Sequence, residues 1–436
     1  MTLLHRRKNG TLTILLVASA TLLLSASRAS AQARIALRSD QPKEVTLGVD
    51  GRITLDAAAF FPLDKGSFAY QPTGALKAEP FRMAAGTSVT QARLGFFSHY
   101  DKWSGRIDVN YAGQRITFCD IYAAYDFNPH TNIVLGHQIE PLSLGVSTST
   151  RSNSLTGPLP VDFLIPYGRH WGISGTHWGE HYWLSAGLFA GGTERIQARE
   201  NHQGEGYGAA MRAIWRPYNT EERTLHLGLS AAIRTPERVT SDEGVVTVGG
   251  RSGSLVENRT FIAGRLSGID HYSICDLEAA YRDDRFFVQG EALYTTFYAA
   301  AGGGSLSNGT RVQLLAKGER TSFWGAYLVG SYMLRGKQRS YSSGGAVFSN
   351  VHRTVEPGGN VELMAGASVL DAKPIIGKGY ELISALNWYP NKAMMLGLSH
   401  TFTDFSEEAT AQGRLHLLRD KPLSYHTLQL RAQFVF

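Results

Sequence analysis

The 436-residue chain is rich in glycine and aromatic residues and poor in charge. It contains 47 Gly, 19 Tyr, 20 Phe and 7 Trp, with only 18% charged residues, below the roughly 25% of ordinary soluble domains. Its 43% apolar content excludes a disordered chain. Beyond the N-terminal segment, no apolar run reaches about 18 residues, which excludes a helical membrane protein. This composition favours a membrane β-barrel, whose lipid-facing residues alternate with polar ones.

The first 31 residues have the pattern of a secretory signal peptide. A basic stretch with Arg6, Arg7 and Lys8 precedes an apolar segment at 12–24, and Ala29-Ser30-Ala31 forms an A-x-A cleavage site. The apolar segment is too short to span a bilayer, although an uncleaved anchor is the alternative. We therefore expect a cleaved signal peptide at 1–31. With the barrel composition, this predicts localisation in the outer membrane of a Gram-negative bacterium.

The mature chain, residues 32–436, is predicted to be a single barrel domain because no linker-like segment divides it. Loss of the signal peptide removes four basic residues and lowers the formal charge from +6 to +2, so nucleic acid is not an expected partner. Cys119 and Cys275 form neither a disulfide framework nor a metal-type spacing. No cofactor, metal or catalytic motif is predicted, since HExxH and GxSxG are missing and the histidines are scattered.

Period-2 alternation predicts about 16 transmembrane strands. Around 103–111, for example, Trp103, Ile107 and Tyr111 share one face, while Arg106 and Asp108 share the other. Aromatic residues cap many of these segments, as in the interfacial girdles of outer-membrane barrels. The predicted strands lie near 45–61, 87–100, 103–112, 115–127, 131–139, 169–178, 181–191, 206–217, 223–235, 271–282, 285–298, 321–334, 360–370, 379–390, 393–405 and 425–436.

The links between these strands are either short or long. Short links include 101–102, 179–180 and 283–284, whereas the long ones include 140–168, 236–270 and 335–359. Short turns on one rim and long loops on the other are typical of an outer-membrane barrel. The last two long links are rich in Gly, Ser and Thr, which predicts solvated loops.

The last strand ends on an aromatic residue. Leu428, Leu430, Phe434 and Phe436 alternate with polar positions, and Phe436 closes the chain. This amphipathic terminal strand looks like the C-terminal signature of bacterial outer-membrane barrels. Together with the signal peptide it favours a closed, antiparallel, all-β barrel.

Several segments in order along the chain resemble the phosphate-selective porins O and P. No single motif is decisive, but their order is specific, and the resemblance spans 45–436, most strongly at 87–190 and 379–436. The matching segments are 51–58 (GRITLDAA), 91–95 (QARLG), 120–125 (DIYAAY), 136–144 (GHQIEPLSL), 147–150 (STST), 159–162 (LPVD), 168–169 (GR) and 386–391 (LNWYPN).

The resemblance implies a trimeric, sixteen-stranded porin in outer-membrane lipid, with the third long loop folded into the lumen. In this family, basic side chains on that loop and on the inner wall select small anions, phosphate or polyphosphate among them. Arginine suits a phosphate because its planar fork can bind two oxygens at once.

Residue by residue, the resemblance transfers only part of this anion site to the loop 140–168. Arg151 falls where the family has a constriction lysine after the T-S-S stretch, so one cation is kept. The family's other loop lysine aligns with Val146, and Glu140 adds a negative charge near the narrowest point. A weakly selective or general porin is therefore an alternative to strict phosphate selectivity.

The wall cations come from strand parity and from the resemblance. Parity places Arg106, Arg212, Arg234 and Arg431 opposite apolar faces, toward the lumen, and Arg93 and Arg169 match family positions. Each could instead be a structural partner of a carboxylate such as Asp108, Asp120 or Glu291, because a porin lumen is polar anyway. Two further alternatives are a barrel adhesin that works through its outer loops and a barrel hydrolase with a lipid-facing Ser–His pair.

Overall fold

A computed structural model describes most of residues 33–436. The described residues are 33–37, 45–63, 67–70, 77–80, 83–112, 115–148, 159–165, 168–191, 202–239, 243–251, 253–257, 260–308, 311–348, 355–406, 409, 418–419 and 423–436. Both the predicted signal peptide, 1–31, and Arg151 lie outside them.

Sixteen antiparallel strands form one closed barrel, which confirms the predicted fold class. Closure follows from the pairing of β1 with both β2 and β16, so neither edge of the sheet stays open. The strands are β1 (Val45–Pro62), β2 (Gly86–Tyr100), β3 (Trp103–Ala112), β4 (Arg115–Asn128), β5 (Thr131–Ile139), β6 (Arg169–Trp178), β7 (Tyr182–Phe189), β8 (Gly208–Asn219), β9 (Thr224–Arg234), β10 (Ile269–Arg282), β11 (Phe286–Ala299), β12 (Arg320–Arg335), β13 (Asn360–Ala372), β14 (Gly377–Asn391), β15 (Met394–Phe405) and β16 (Leu423–Val435).

The seam between β1 and β16 is sealed by the last residue of the chain. Gly51 and Phe436 exchange two backbone hydrogen bonds, Gly51 N to Phe436 O at 2.9 Å and the reverse at 3.0 Å. A Cβ at Gly51 would lie 2.4 Å from Phe436 Cζ, so glycine is needed there for the ring to pack against the strand. Along the seam, the register runs from Arg52 opposite Val435 to Pro62 opposite Tyr425.

The strands keep the alternation that the sequence predicts. Leu184, Leu188, Leu229 and Leu277 are exposed on the outer face, as side chains that meet lipid must be. Among the described residues, no helix is long and apolar enough to span a membrane. A short strand, Ala33–Leu37, pairs with the start of β1 beside the seam.

The two rims differ in the length of their links, with one correction to the prediction. The rim that carries Phe436 also carries the short links after β2, β4, β6, β8, β10 and β14, and we call it the turn rim. The opposite rim, the loop rim, carries 140–168 and 236–270. Link 335–359 follows β12, an even-numbered strand, and therefore belongs to the turn rim; its length had suggested the loop rim.

Two short helices and several short strands belong to the links. Helix α1 (Leu144–Ser147) and helix α2 (Leu159–Leu164) lie in the loop 140–168. The remaining strands are Ser67–Tyr70, Lys77–Pro80, His202–Gly204, Glu237–Val239, Glu243–Gly250, Ile262–Ser267, Gly304–Ser307, Val312–Leu315, Tyr341–Ser342, Val347–Phe348 and Leu418–Arg419.

The prediction that links 236–270 and 335–359 are solvated is wrong. Val246, Val248 and Ile262 of the first link are buried in one apolar core with α2, and Phe348 of the second is buried against the wall. The averaged composition hid the alternation within the segment 245–248, where every second residue is apolar and buried.

Candidate pore and constriction

Six charged side chains from β1 to β6 form a continuous network on the inner wall, which we call the charged wall. Arg106 links two carboxylates, with Nη2 at 2.8 Å from Asp50 Oδ1 and Nε at 2.9 Å from Asp108 Oδ1. Arg169 Nε lies 2.8 Å from Asp120 Oδ1. Arg93 contacts both Asp108 and Asp120 and so joins the two halves. Three of the predicted site residues, Arg93, Arg106 and Arg169, are therefore brought together.

Gly95 on β2 has no side chain, and this leaves room for the charged wall to cross that strand. A Cβ at Gly95 would lie 2.3 Å from Asp108 Oδ1, 2.5 Å from Asp50 Oδ1 and 2.7 Å from Arg106 Nη2. Any larger residue at this position would therefore push the charged groups apart.

Two arginines of the charged wall, Arg106 and Arg169, are more exposed than the carboxylates that they contact. The side chains of Arg106 and Arg169 are 25% and 28% exposed, whereas Asp108 is 1% and Asp120 is 16% exposed. The carboxylates hold the guanidinium groups in place through charge-assisted hydrogen bonds. A solute in the lumen consequently meets the N–H groups first, and each guanidinium has five such donors.

Arg234 and Glu140, the first residue of the loop 140–168, neutralise each other. The Arg234 guanidinium contacts the Glu140 carboxylate and donates from Nη2 to Ala190 O at 2.7 Å, and His170 Nδ1 lies 2.7 Å from Glu140 Oε1. All three charged or ionisable side chains are buried. The negative charge expected near the constriction is therefore compensated, and Arg234 does not line the open lumen.

Arg212 is also buried, between the wall and a segment that enters from the turn rim. Its Nε donates to Glu278 Oε1 at 2.9 Å and its Nη2 donates to Ala346 O at 3.1 Å. Arg431, the remaining cation predicted from parity, pairs with Asp56 at 2.8 Å beside the seam. Strand parity thus gave the correct side of the wall for these residues but not their surroundings.

The first part of the loop 140–168 is fastened to the wall by one buried carboxylate. Glu291 Oε1 accepts from Ser143 Oγ at 2.8 Å and from the backbone N of Leu144, while Oε2 accepts from Gly145 N at 3.0 Å. Tyr327 donates to the same carboxylate at 2.6 Å. Because the first-turn N–H groups of a helix lack partners within the helix, Glu291 completes α1 and fixes its position.

The second part of the loop belongs to an apolar core inside the barrel. Phe163 of α2 packs on Phe323 with the ring centroids 6.1 Å apart, and Leu164 O accepts from Thr295 Oγ1 at 3.1 Å. The link 236–270 is held nearby, where Gly253 N donates to Glu381 Oε1 at 3.1 Å. Both loops therefore pack against inward side chains on the β9–β14 side of the lumen, whereas Arg106 and Arg169 of the charged wall stay partly exposed.

Two charged loop residues on the lumen side were missed by sequence reasoning. Asp162 of α2 and Arg251 of the link 236–270 both have exposed side chains. Although Asp162 keeps accessible surface, the protein packed around its carboxyl removes part of the hydration and raises its pKa to about 6, and the charge of Arg251 opposes this shift. Neither residue lies in a strand whose parity could have indicated its position. Arg251 is nonetheless an exposed loop cation close enough to Asp162 to influence its charge.

One group of carboxylates among the described residues is close enough to hold a metal ion. Oxygens of Asp276, Glu278 and Glu291 lie within 4.8 Å of one another, and all three residues are buried. Glu291 already accepts from α1 and Tyr327, and Glu278 accepts from Arg212 and from His226 Nε2 at 2.9 Å. These contacts describe an anchor for the loop 140–168 rather than an open coordination site.

The family model of phosphate-selective porin O and P matches residues 83–436. The chain belongs to this family. The match covers every barrel strand except β1. Family and barrel together identify an outer-membrane porin, and the predicted resemblance is confirmed.

Solved structures show the same fold at low sequence identity. An anion-selective porin from Comamonas acidovorans is 13% identical, with a TM-score of 0.53 over 90% of this chain and 100% of that chain. The outer-membrane expressed OmpT of Vibrio cholerae is 12% identical, with a TM-score of 0.50 over 92% of this chain and 100% of that chain. A comparison with curated protein sequences gives no match.

Proposed function

We propose that this protein is a passive outer-membrane channel for small anions, with phosphate or polyphosphate among its solutes. The observation that carries the proposal is the difference in exposure across the charged wall, in which Arg106 and Arg169 are partly exposed while their partners Asp108 and Asp120 are less exposed. Guanidinium groups held in this way replace part of the hydration shell of an anion. The Comamonas acidovorans porin, which shares the fold, is anion-selective, and this supports the same conclusion.

Two loop cations add to this attraction. Arg151 matches the family's constriction lysine, and Arg251 is exposed near Asp162. At an effective dielectric constant near 20, a unit charge 4 Å from an anion contributes about 4 kcal/mol before desolvation. Even about a quarter of that energy changes the relative occupancy of anions and cations several-fold.

The mature protein is proposed to begin after Ala31, to reside in the outer membrane of a Gram-negative bacterium and to assemble as a homotrimer. It is not proposed to be an enzyme. Ser384 and His400 are register partners on the outer face, which is the pattern that would favour a hydrolase. Among the described residues, however, His400 Nε2 bonds to His426 Nδ1 at 2.9 Å, and no hydrogen bond joins it to Ser384.

A weakly selective porin is the second candidate, and the charge count of the charged wall favours it. Its three arginines are matched by three aspartates, so its net charge is zero. In this case any preference for anions would come from the lower exposure of the carboxylates, because the charged wall has no excess of cations.

Bilayer recordings separate these candidates. Purified protein is inserted into a planar lipid bilayer, and conductance and reversal potential are measured in a KCl gradient. The proposal predicts an open channel whose reversal potential indicates anion preference, and a reduced preference for Arg151→Glu. A reversal potential near zero would favour the weakly selective porin, and a protein that does not conduct would contradict both candidates.

A further inference from the structure

A segment from the turn rim enters the lumen between β12 and β13 and lies along the inner wall. We call residues 336–348 the inner segment. Its two short strands, Tyr341–Ser342 and Val347–Phe348, pair with each other inside the barrel. Its contacts are with inward side chains of β7, β8, β9, β11 and β13, so it covers a wide arc of the wall.

Side chains of β7 and β8 donate hydrogen bonds to three backbone carbonyls at the tip of the inner segment. Arg216 Nη1 donates to Ser343 O at 2.9 Å, and Trp183 Nε1 donates to Gly344 O at 2.8 Å. Arg212 Nη2 donates to Ala346 O at 3.1 Å. Ser343 and Gly344 are half-buried and Ala346 is buried, so the wall supplies donors that these backbone carbonyls require away from water.

The base of the inner segment is fixed by a second group of contacts. Gln338 Nε2 donates to Ser331 Oγ at 2.7 Å, and Arg339 pairs with Glu362 at 3.0 Å. Tyr341 OH lies 2.8 Å from His226 Nδ1. Burial raises the pKa of Tyr341 to about 12, so the phenol stays neutral and remains a hydrogen-bonding partner at physiological pH.

The inner segment and the loop 140–168 share one cluster of buried residues at the inner wall. Phe348 packs against Phe287, with the ring centroids 4.9 Å apart, and both belong to one buried cluster with Ala280 and Leu144 of α1. The same α1 is held from the wall by Glu291. A segment from the turn rim and a loop from the opposite rim therefore share one small apolar contact.

We propose that the inner segment is a fixed brace that supports the loop 140–168 from below, and that Arg212 and Arg216 are positioning residues for this brace. This inference rests on the proposed channel function. It also changes the role predicted for Arg212, from binding anions to positioning the brace. The Arg212 guanidinium donates to Glu278 and to Ala346 O, and so affects the loop 140–168 only through the inner segment. With the brace in place, solutes are confined to the charged wall side of the lumen.

The variant that tests the brace removes the buried ion pair as a unit, Arg212→Met with Glu278→Gln. Removing both charges avoids an uncompensated buried charge, which would itself destabilise the barrel. We expect single-channel conductance to rise at least about 2-fold, with the anion-to-cation permeability ratio falling toward one. Trp183→Phe, which loses only one bond to the inner segment, should change both quantities in the same direction by less. Lys337→Ala is the matched control, because Lys337 is exposed and pairs at 3.5 Å with Asp284 on the rim.

The outcomes distinguish the brace from a direct role of Arg212 in anion binding. An unchanged or reduced conductance together with lower anion preference would overturn the brace. A wild-type protein that does not conduct would instead contradict the proposed function. If conductance is unchanged in both variants while the wild type conducts, the brace alone is wrong.

A labelling experiment covers the case in which the double variant fails to fold. Ala346 is buried, so Ala346→Cys in a Cys119→Ser, Cys275→Ser background should react slowly with a membrane-impermeant thiol reagent. Adding Trp183→Phe should increase the labelling rate at least about 10-fold if the bond to Gly344 O holds the segment. Equal rates in the two backgrounds would contradict the brace.

Discussion

The two sides of the inner wall follow the same strand pattern but differ in what covers them. On β2–β6, inward side chains such as Arg106 and Arg169 are partly exposed to the lumen. On β9–β14, inward side chains such as Ala280 and Phe323 are buried under loops. Strand parity therefore determines which residues face inward, and the loops determine which of them a solute can reach.

The largest expected effect comes from placing one charge on each side. Ala280 lies in the cluster with Leu144, Phe287 and Phe348, so Ala280→Arg should lower the free energy of unfolding by about 3–5 kcal/mol, the cost of an uncompensated buried charge. Ser104, an inward residue on β3, faces the open side, and Ser104→Arg should change it by less than about 1 kcal/mol. Urea titration with tryptophan fluorescence measures both. Equal losses would mean that the two sides are equally covered.

A second comparison uses arginines that sequence reasoning treated alike. Arg234→Gln leaves Glu140 buried with less compensation and should cost about 3 kcal/mol of stability, with little change in ion selectivity. Arg169→Gln, on the open side, should leave stability within about 1 kcal/mol, because a partly exposed ion pair contributes little. It should lower the anion-to-cation permeability ratio roughly 3-fold. Reversal potentials and urea titrations of both variants provide the check, and the reverse assignment of effects would refute this division.

The charged wall can also be disturbed without removing any charge. Gly95→Ala brings a Cβ within 2.7 Å of three charged atoms, so Asp50, Asp108 and Arg106 must separate. We expect a reduction of about 2-fold in the permeability ratio. Gly175→Ala is the control, because its nearest atom would be 4.0 Å away. If Gly95→Ala conducted with wild-type selectivity, the close packing of the charged groups over Gly95 would not matter for selectivity.

The smallest expected effect is a pH dependence from Asp162. The pKa of Asp162 is raised to about 6, so this carboxyl is charged at pH 7 and largely neutral at pH 5. Acidification removes a negative charge beside Arg251 and should increase anion preference by less than about 2-fold. In Asp162→Asn, reversal potentials at pH 5 and pH 7 should differ less than in the wild type. A wild-type preference that decreases on acidification has the wrong sign for this explanation.

The barrel could be predicted from the sequence because each strand carries its own signal. Lipid requires an apolar side chain at every second position, and this requirement is local, so all sixteen strands were found near their observed bounds. The rim of link 335–359 was assigned from its length, whereas the number of strands that precede it decides the rim.

The surroundings of the lumen residues could not be predicted in the same way. Arg169 and Arg212 both stand on the inward face of a strand, yet only Arg212 is covered, by a segment more than a hundred residues away in the chain. Glu291 was considered as a partner for an arginine and is instead bound to backbone N–H groups of α1. Such contacts depend on how loops fold into the barrel, and no periodicity records this.

The most direct test of the central claim is the reversal potential of the wild type against Arg106→Gln/Arg169→Gln in a KCl gradient. This double variant removes the two most exposed cations of the charged wall while their less exposed partners, Asp108 and Asp120, remain. We predict that the wild type prefers anions and that the double variant loses this preference or becomes cation-selective. An unchanged reversal potential would show that the charged wall does not lie on the path of the ions.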